Sequence, residues 1–349
     1  MAPTPRILIP GGSGVFGSLL ARELLLHTAA EIVLAARDGA RAAAVARELV
    51  AAGPGRVRAI ALDLGDREAV AREARGAFAV ACCAGPFQGL DRGLPAVVAR
   101  EGARWLDLGD DPAWVLPLLE PGGAADAAAV SHDTTVVPGL STVPALSGIL
   151  ARHVRARLPG ARSARVALFI GNRNRKGPGA VASALAAGLS GTEPVPFPRV
   201  GTRTGSRLPS PDGVLLEREL GLEAEFRVAF ELAGAGALLG LVGPLVARLP
   251  VRSRGWLARV LAVCAAPASR LGSDVGCIRV ELRDGAGSSA AATLVGHGQR
   301  LAILPCALAL EAMLAGEIAP RGAVSPATLL PVGTWLERLA GRGLELVAA

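Results

Sequence analysis

Over the first 140 residues, short apolar runs alternate with longer stretches in which apolar side chains recur at helical spacing. The short runs lie at 6–9, 31–36, 57–63, 77–82, 103–108 and 133–137, and most show no polar alternation. Strands of that kind are buried on both faces. The intervening Ala/Leu/Arg-rich stretches at 15–28, 39–51, 66–75 and 90–101 predict helices. A strand–helix–strand rhythm of this length predicts an α/β fold: a Rossmann, doubly wound parallel sheet covered by helices on both sides. A helix over 142–158 leads out of it. Beyond residue 160 the apolar period shortens to two at 165–170, 225–231, 277–282 and 290–295. That change predicts an inserted α+β second domain with a mostly antiparallel sheet and a helix near 180–189. The span 193–213, rich in Pro, Gly, Ser and Arg, reads as a long loop of the kind that forms lids. A helix over 305–315 is opened by Pro305 and closed by Gly316. Trp335, Leu336 and Leu339 then return the tail to the first domain. The expected boundaries are 1–140, 141–300 and 301–349.

The connection after the first run is Gly11-Gly12-Ser13-Gly14-Val15-Phe16-Gly17. Glycines spaced this way between a strand and a helix let bare backbone approach a pyrophosphate, which rests on the helix's N-terminal amides. Twenty positions past Gly17, at the end of the second run, stands Arg37 rather than the acid that holds a ribose 2′-hydroxyl. A guanidinium fork matches a 2′-phosphate, so the expected cofactor is NADP rather than NAD.

Composition narrows the remaining classes. At 349 residues, 51% hydrophobic and 19% charged, the chain is a well-packed globular protein of two lobes. Its net charge of +7 rests on arginine, since Lys176 is the one lysine, and aromatics are only 3%. Without a basic tail or a stacking motif, nucleic acid is not an expected partner. Between 134 and 192 there are eight cations (Arg152, Arg155, Arg157, Arg162, Arg165, Arg173, Arg175, Lys176) and no acid. This segment is either a surface that steers an anionic substrate or rests on anionic lipid, or a solvated arginine face. Five cysteines without C-x-x-C spacing fit a reducing, cytoplasmic setting, and the chain enters its first strand by Arg6, before any signal peptide. Four scattered histidines predict no metal site. The uncharged runs 232–247 and 260–269 fall short of a bilayer span. They read as a buried helical pair or as an apolar surface for a lipid-like substrate or a peripheral membrane contact.

Further motifs carry a resemblance. Ala61-Leu62-Asp63-Leu64, Ala84-Gly85-Pro86-Phe87, Trp105-Leu106-Asp107-Leu108 and Pro138-Gly139-Leu140 with Pro144, together with the glycine loop, resemble saccharopine dehydrogenase-like reductases. The likeness covers the first 150 residues and continues more loosely through 177–183 and Gly272-Ser273-Asp274. It implies an NADP-binding Rossmann domain in which Asp63 and Leu64 flank the adenine and Ala84, Gly85, Pro86 and Phe87 line the nicotinamide side. Relatives often carry Tyr-Val-Asp-Leu-x-Gly-Glu where this chain ends in Leu108-Gly109-Asp110-Asp111, which points to the broad branch that includes lipid-associated and trans-acting enoyl reductases.

The chain has no tyrosine, so a Tyr-x-x-x-Lys acid is excluded, and no G-x-S-x-G elbow accompanies a hydrolase set. The expected activity is hydride transfer to or from a C=O, C=N or activated C=C of a partly apolar, anionic or thioester-linked small molecule. Asp107, Asp110 and His297 are the candidate proton donors, with Asp111 and Lys176 as further ones. A non-catalytic NADP-binding sensor or scaffold and an epimerase that uses NADP transiently stay open, as does a homodimer.

Overall fold

The apolar runs become strands almost where they stand in the sequence, and helices fall between them. In chain order these are β1 (Arg6–Pro10), α1 (Val15–His27), β2 (Glu31–Ala36), α2 (Gly39–Leu49), β3 (Val57–Ala61), α3 (Arg67–Ala74) and β4 (Ala79–Cys82). There follow α4 (Leu94–Arg100), β5 (Arg104–Asp107), α5 (Pro112–Leu118), α6 (Ala124–Ser131) and β6 (Thr135–Val137). The computed structural model describes residues 4–174, 189–231 and 272–348. They divide into two units: Met1–Ser141 with Ala302–Leu330, and Thr142–Leu301 with Pro331–Ala349.

In the first unit all strand pairs are parallel. From β6 the order across the sheet runs β6-β5-β4-β1-β2-β3, the doubly wound order, with its switch point between β4 and β1. Ile7, Leu8 and Ile9 on β1, Ile32–Leu34 on β2 and Ala79–Cys82 on β4 have no solvent exposure, as strands sandwiched between helices require.

The second unit begins with α7 (Ser147–Arg157), then β7 (Ala161–Ile170), β8 (Ser190–Phe197), β9 (Gly201–Arg207), α8 (Asp212–Leu220), β10 (Glu223–Phe230), β11 (Val275–Asp284) and β12 (Ser289–His297). The tail adds α9 (Arg300–Leu314), β13 (Gly322–Ala323), α10 (Val332–Gly341) and β14 (Glu345–Ala348). The second sheet runs β14-β12-β11-β7-β10-β9-β8, antiparallel except for β7 with β10. Helix α7 packs on β11 and β12, and α8 packs on β10.

Three expectations change. The span 193–213 is no long loop: it contains most of β8 and all of β9, a paired hairpin, and the start of α8. Pro194 and Pro196 are tolerated because β8 is the sheet's outer strand, and residues two apart point their missing N–H to the same, open side. The tail divides rather than returning whole to the first domain. Strand β13 extends the first sheet beside β6, whereas β14 adds to the edge of the second sheet beside β12, and α10 packs on α7. Helix α9 begins at Arg300, so Pro305 lies inside it; a helix whose residues 301–304 are all buried withstands the loss of one backbone bond. The expected helix near 180–189, Lys176 and the apolar runs 232–247 and 260–269 lie outside the described residues, save for Leu189.

Candidate functional site

The glycine loop links the carboxyl end of β1 to α1 beside the switch point, and its glycines are required by contact as much as by conformation. Gly11 has φ of 76°, and a Cβ there would stand 2.7 Å from the Ala84 amide nitrogen and the Cys83 carbonyl. A Cβ on Gly12 would come 2.9 Å from the Ile9 carbonyl oxygen, and one on Gly17 would fall 2.3 Å from the Gly11 oxygen. At Gly14 the nearest contact would be 3.1 Å. Gly14 is the N-cap of α1, and no side chain caps the helix. Ser13, Val15 and Phe16 are half-buried around it. The first-turn amides of α1 therefore present an uncapped, positively polarised end beside a cradle that any side chain would narrow. That is what a dinucleotide pyrophosphate needs, and the residues fit it.

At the end of β2, Arg37 is exposed and forms no hydrogen bond or ion pair with any described residue. The acid beside it is occupied: Asp38 caps α2, its Oδ1 accepting from the Arg41 amide at 3.0 Å. Asp63, exposed after β3, accepts from the Gly65 amide at 2.9 Å in a tight turn, with Leu64 half-buried beside it. Past β4, the half-buried Ala84 and exposed Gly85 and Pro86 lead to Phe87, whose ring packs 5.4 Å from that of Trp114. The cofactor candidates thus gather along the carboxyl ends of β1, β2, β3 and β4.

The aspartates at the carboxyl end of β5 take three different roles. Asp107 is fully buried. Its Oδ1 accepts from the Gly109 and Gly139 amides at 2.8 and 3.0 Å, and its Oδ2 from the indole N–H groups of Trp105 and Trp114 at 2.8 and 2.9 Å. Burial raises its pKa from the ordinary value, opposed by the four donors. Each oxygen already receives two N–H groups, so no position is left for a proton that a substrate can collect. As a proton donor Asp107 is displaced; it is the knot that ties β5, α5 and the segment after β6 together. Asp111 caps α5 through the Trp114 amide and accepts from Gln88 Nε2 at 2.7 Å. Asp110, between them, is exposed and makes no hydrogen bond to another described residue. Although solvent reaches it, crowding by protein strips hydration from its carboxyl. With a smaller push from the charges of Asp111 and Asp107, this raises its pKa to about 6.

His297 belongs to the second unit, at the end of β12, with Nδ1 3.0 Å from Asp274 Oδ1. Asp274, absent from the sequence candidates, is held below the ordinary carboxylate range chiefly by that bond. The Gly272-Ser273-Asp274 stretch gave Asp274 no chemical role in the sequence; the pairing of Val275 with His297 brings the two side chains together. Among the eight cations of 134–192, Arg152 pairs with Glu219, Arg165 with Glu193 and Glu225, and Arg155 donates to the Ala161 carbonyl. The segment is therefore not a continuous free anion-binding face. A cavity of about 600 Å³ in the second unit is walled by Arg165, Arg207, Glu225, Glu281 and Arg283, charges paired with one another, and it does not include the glycine loop. Among the described residues no cluster suits a metal ion and no helix is long and apolar enough to cross a membrane.

Comparison with known proteins adds the following. A family model described as KR domain matches residues 6–79, from β1 to the start of β4. No curated protein matches the chain. GenD2 from gentamicin A biosynthesis, solved with NAD, is similar at 13% identity and a TM-score of 0.49 over 100% of this chain and 97% of that one. Amine dehydrogenase from Mycobacterium smegmatis is similar at 12% identity and 0.49 over 95% and 97%. Apo saccharopine dehydrogenase (L-Glu forming) from Saccharomyces cerevisiae has 12% identity and a TM-score of 0.65, over 99% of this chain and 100% of that chain. With its parallel first sheet and mostly antiparallel second one, the chain has a saccharopine dehydrogenase-like fold.

Proposed function

We propose that the protein is an NADP(H)-dependent oxidoreductase that reduces or oxidises a small molecule. The observation that carries the cofactor choice is the division of labour at the end of β2: Arg37 is free and exposed while Asp38 is spent on capping α2. A 2′-phosphate placed there meets a guanidinium able to take two of its oxygens, whereas the nearest acid to a ribose 2′-hydroxyl, Asp38, stands one position late and commits Oδ1 to the α2 cap. The glycine cradle and the uncapped α1 terminus hold the pyrophosphate. Phe87, Pro86 and Ala84 line the half of the cofactor that reacts. When bound, the nicotinamide supplies the two-electron chemistry; the chain's own residues orient it and manage protons. The free carboxyl of Asp110 favours an enzyme over a non-catalytic NADP-binding sensor.

The test is the pair of dissociation constants for NADP and NAD, in wild type and in Arg37→Ala. NADP is expected to bind tighter. The substitution weakens NADP by roughly 1.5–3 kcal/mol and leaves NAD nearly unchanged. Equal wild-type affinities would overturn the NADP assignment while leaving the dinucleotide site standing. For the substrate, the uncharged runs 232–247 and 260–269 support a partly apolar molecule. Acyl and enoyl thioesters are therefore the compounds to screen beside simple imino acids.

A further inference from the structure

Three aspartates lie at the carboxyl end of β5, and the structure removes two of them from proton chemistry. Asp107 is saturated by four N–H donors, and Asp111 holds the N-terminus of α5 and Gln88. Both commitments stiffen the turn between them. Gly109 is pinned by its amide to Asp107, and a Cβ there would stand 2.6 Å from Trp114, so the backbone that carries Asp110 is clamped on each side.

Contacts made by its neighbours tie the turn that carries Asp110 to the turn after β4, which itself abuts the glycine loop. Gly11 abuts Cys83 and Ala84, Phe87 packs on Trp114, and Gln88 reaches Asp111. In this strand order β1, β4 and β5 are neighbours, so their carboxyl-end loops form a row. The pyrophosphate takes the β1 loop, and the second mononucleotide half of a dinucleotide lies over the β4–β6 side. Asp110 is exposed on that side, the one carboxyl of the three that no other described residue holds.

We infer that Asp110 is the proton donor to the hydride acceptor, and that the acceptor is accordingly a carbonyl or an activated C=C rather than an iminium. This inference rests on the dinucleotide reading of the glycine loop. The balance is as follows. Hydride from the reduced nicotinamide forms the new C–H bond, and the π pair of C=X moves onto X. The Asp110 O–H bond breaks to deliver its proton to X, which is the oxygen of a carbonyl or the α-carbon of a conjugated alkene that has taken hydride at its β-carbon. A bound reduced dinucleotide would give up two electrons and the substrate would gain two, with one H⁺ taken from solvent to reprotonate Asp110. Hydride addition to an iminium yields a neutral amine and needs no such proton.

The charges that bear on Asp110 are those of Asp111 and Asp107. The thiols of Cys82, Cys83 and Cys306, which lie near Asp107, are pushed up by burial and stay protonated. Asp110, raised to about 6, is the group of this cluster that changes charge near neutrality. It is a competent acid below that pH and loses its proton above it.

The deciding experiment needs no substrate. The ratio of NADP⁺ to NADPH dissociation constants is measured from pH 5 to 8 on the full-length protein, with NAD⁺ and NADH in parallel. A positive ring within about 4–6 Å of Asp110 favours its carboxylate. NADP⁺ should therefore tighten relative to NADPH by about tenfold as pH rises through 6. Titration of the 2′-phosphate affects both forms alike and cancels in the ratio. Asp110→Asn should abolish the dependence, whereas Asp111→Asn, which keeps the cap, should retain it at slightly lower pH. A ratio independent of pH in wild type, or a dependence that survives Asp110→Asn, overturns the assignment of Asp110. If neither cofactor pair binds, the dinucleotide reading itself has failed, and this inference with it. Where a substrate from the screen is reduced, kcat should fall above about pH 6, and Asp110→Asn should lower it roughly 10²-fold or more with NADPH affinity unchanged. A rate that rises through pH 6 would mean that the carboxylate is the working form, and would overturn the carbonyl or alkene assignment in favour of a cationic acceptor.

Discussion

The two units each carry a seven-stranded sheet, yet they hold it by different means. In the first, parallel strands are buried on both faces and ion pairs such as Arg67–Asp91 and Arg75–Glu101 lie on the surface, so the interior geometry is set by glycines where backbones touch and by one buried carboxylate with four donors. In the second, one end of the sheet carries an apolar cluster around Phe169, Phe197, Ala229 and Cys277. Elsewhere β7, β9 and β10 are laced by ion pairs centred on Glu225 and the buried Arg227. Close packing tolerates no added atom, whereas a lattice of partly solvated charges yields gradually to salt and acid. The glycine loop belongs to the first kind of construction, and that is why its geometry is set by atomic contact.

The sharpest test of the contrast is Asp107→Ala. Four buried N–H donors lose their acceptor at once, and the first unit should lose about 3–5 kcal/mol. Hydrogen exchange should show this as lost protection in β4 and β5, with β7 and β11 unchanged. Equal loss in both units would mean that they do not respond separately. Gly17→Ala comes next. Its Cβ would meet the Gly11 carbonyl oxygen at 2.3 Å, a backbone atom that cannot swing away, so a cost of about 2–3 kcal/mol is expected together with weakened cofactor binding. Gly14→Val, with its nearest Cβ contact at 3.1 Å, should instead leave the melting temperature close to wild type while abolishing NADP binding. A Gly17→Ala variant as stable as wild type would show that the loop is not close-packed.

The smallest effect belongs to the second unit. Glu225→Gln removes the hub shared by Arg165, Arg207 and Arg227 and should cost about 1 kcal/mol, less in high salt. The three guanidinium groups lower the pKa of Glu225 to about 2 against a burial penalty. Its contribution is therefore complete above the ordinary carboxylate range and is lost as the pH falls towards 2. Wild type should lose stability over that acid interval, and Glu225→Gln should lose less; matching acid profiles would remove the network from the account.

The same physical difference governs what could be read from the chain alone. The strands β1 to β6 were legible within about three residues because a strand buried on both faces must be a short, mostly apolar run bounded by turn residues. The glycine loop was legible because only glycine fits where backbone touches backbone, and Arg37 because its position is counted along the chain from that loop. Strands β8 and β9 were not: with Pro194, Pro196 and a string of Gly, Ser, Thr and Arg they have the composition of a loop, and become strands only because a sheet edge needs no donor on its outer side. Nor could spacing tell apart Asp107, Asp110 and Asp111. Their roles depend on Trp114, Gly139 and Gln88 arriving from α5, from the segment after β6 and from the turn after β4. Periodicity and backbone sterics are local properties, so the sequence by itself determined the doubly wound sheet and the glycine loop. Which carboxylate stays free depends on donors far apart in the chain, and only the tertiary structure decided that.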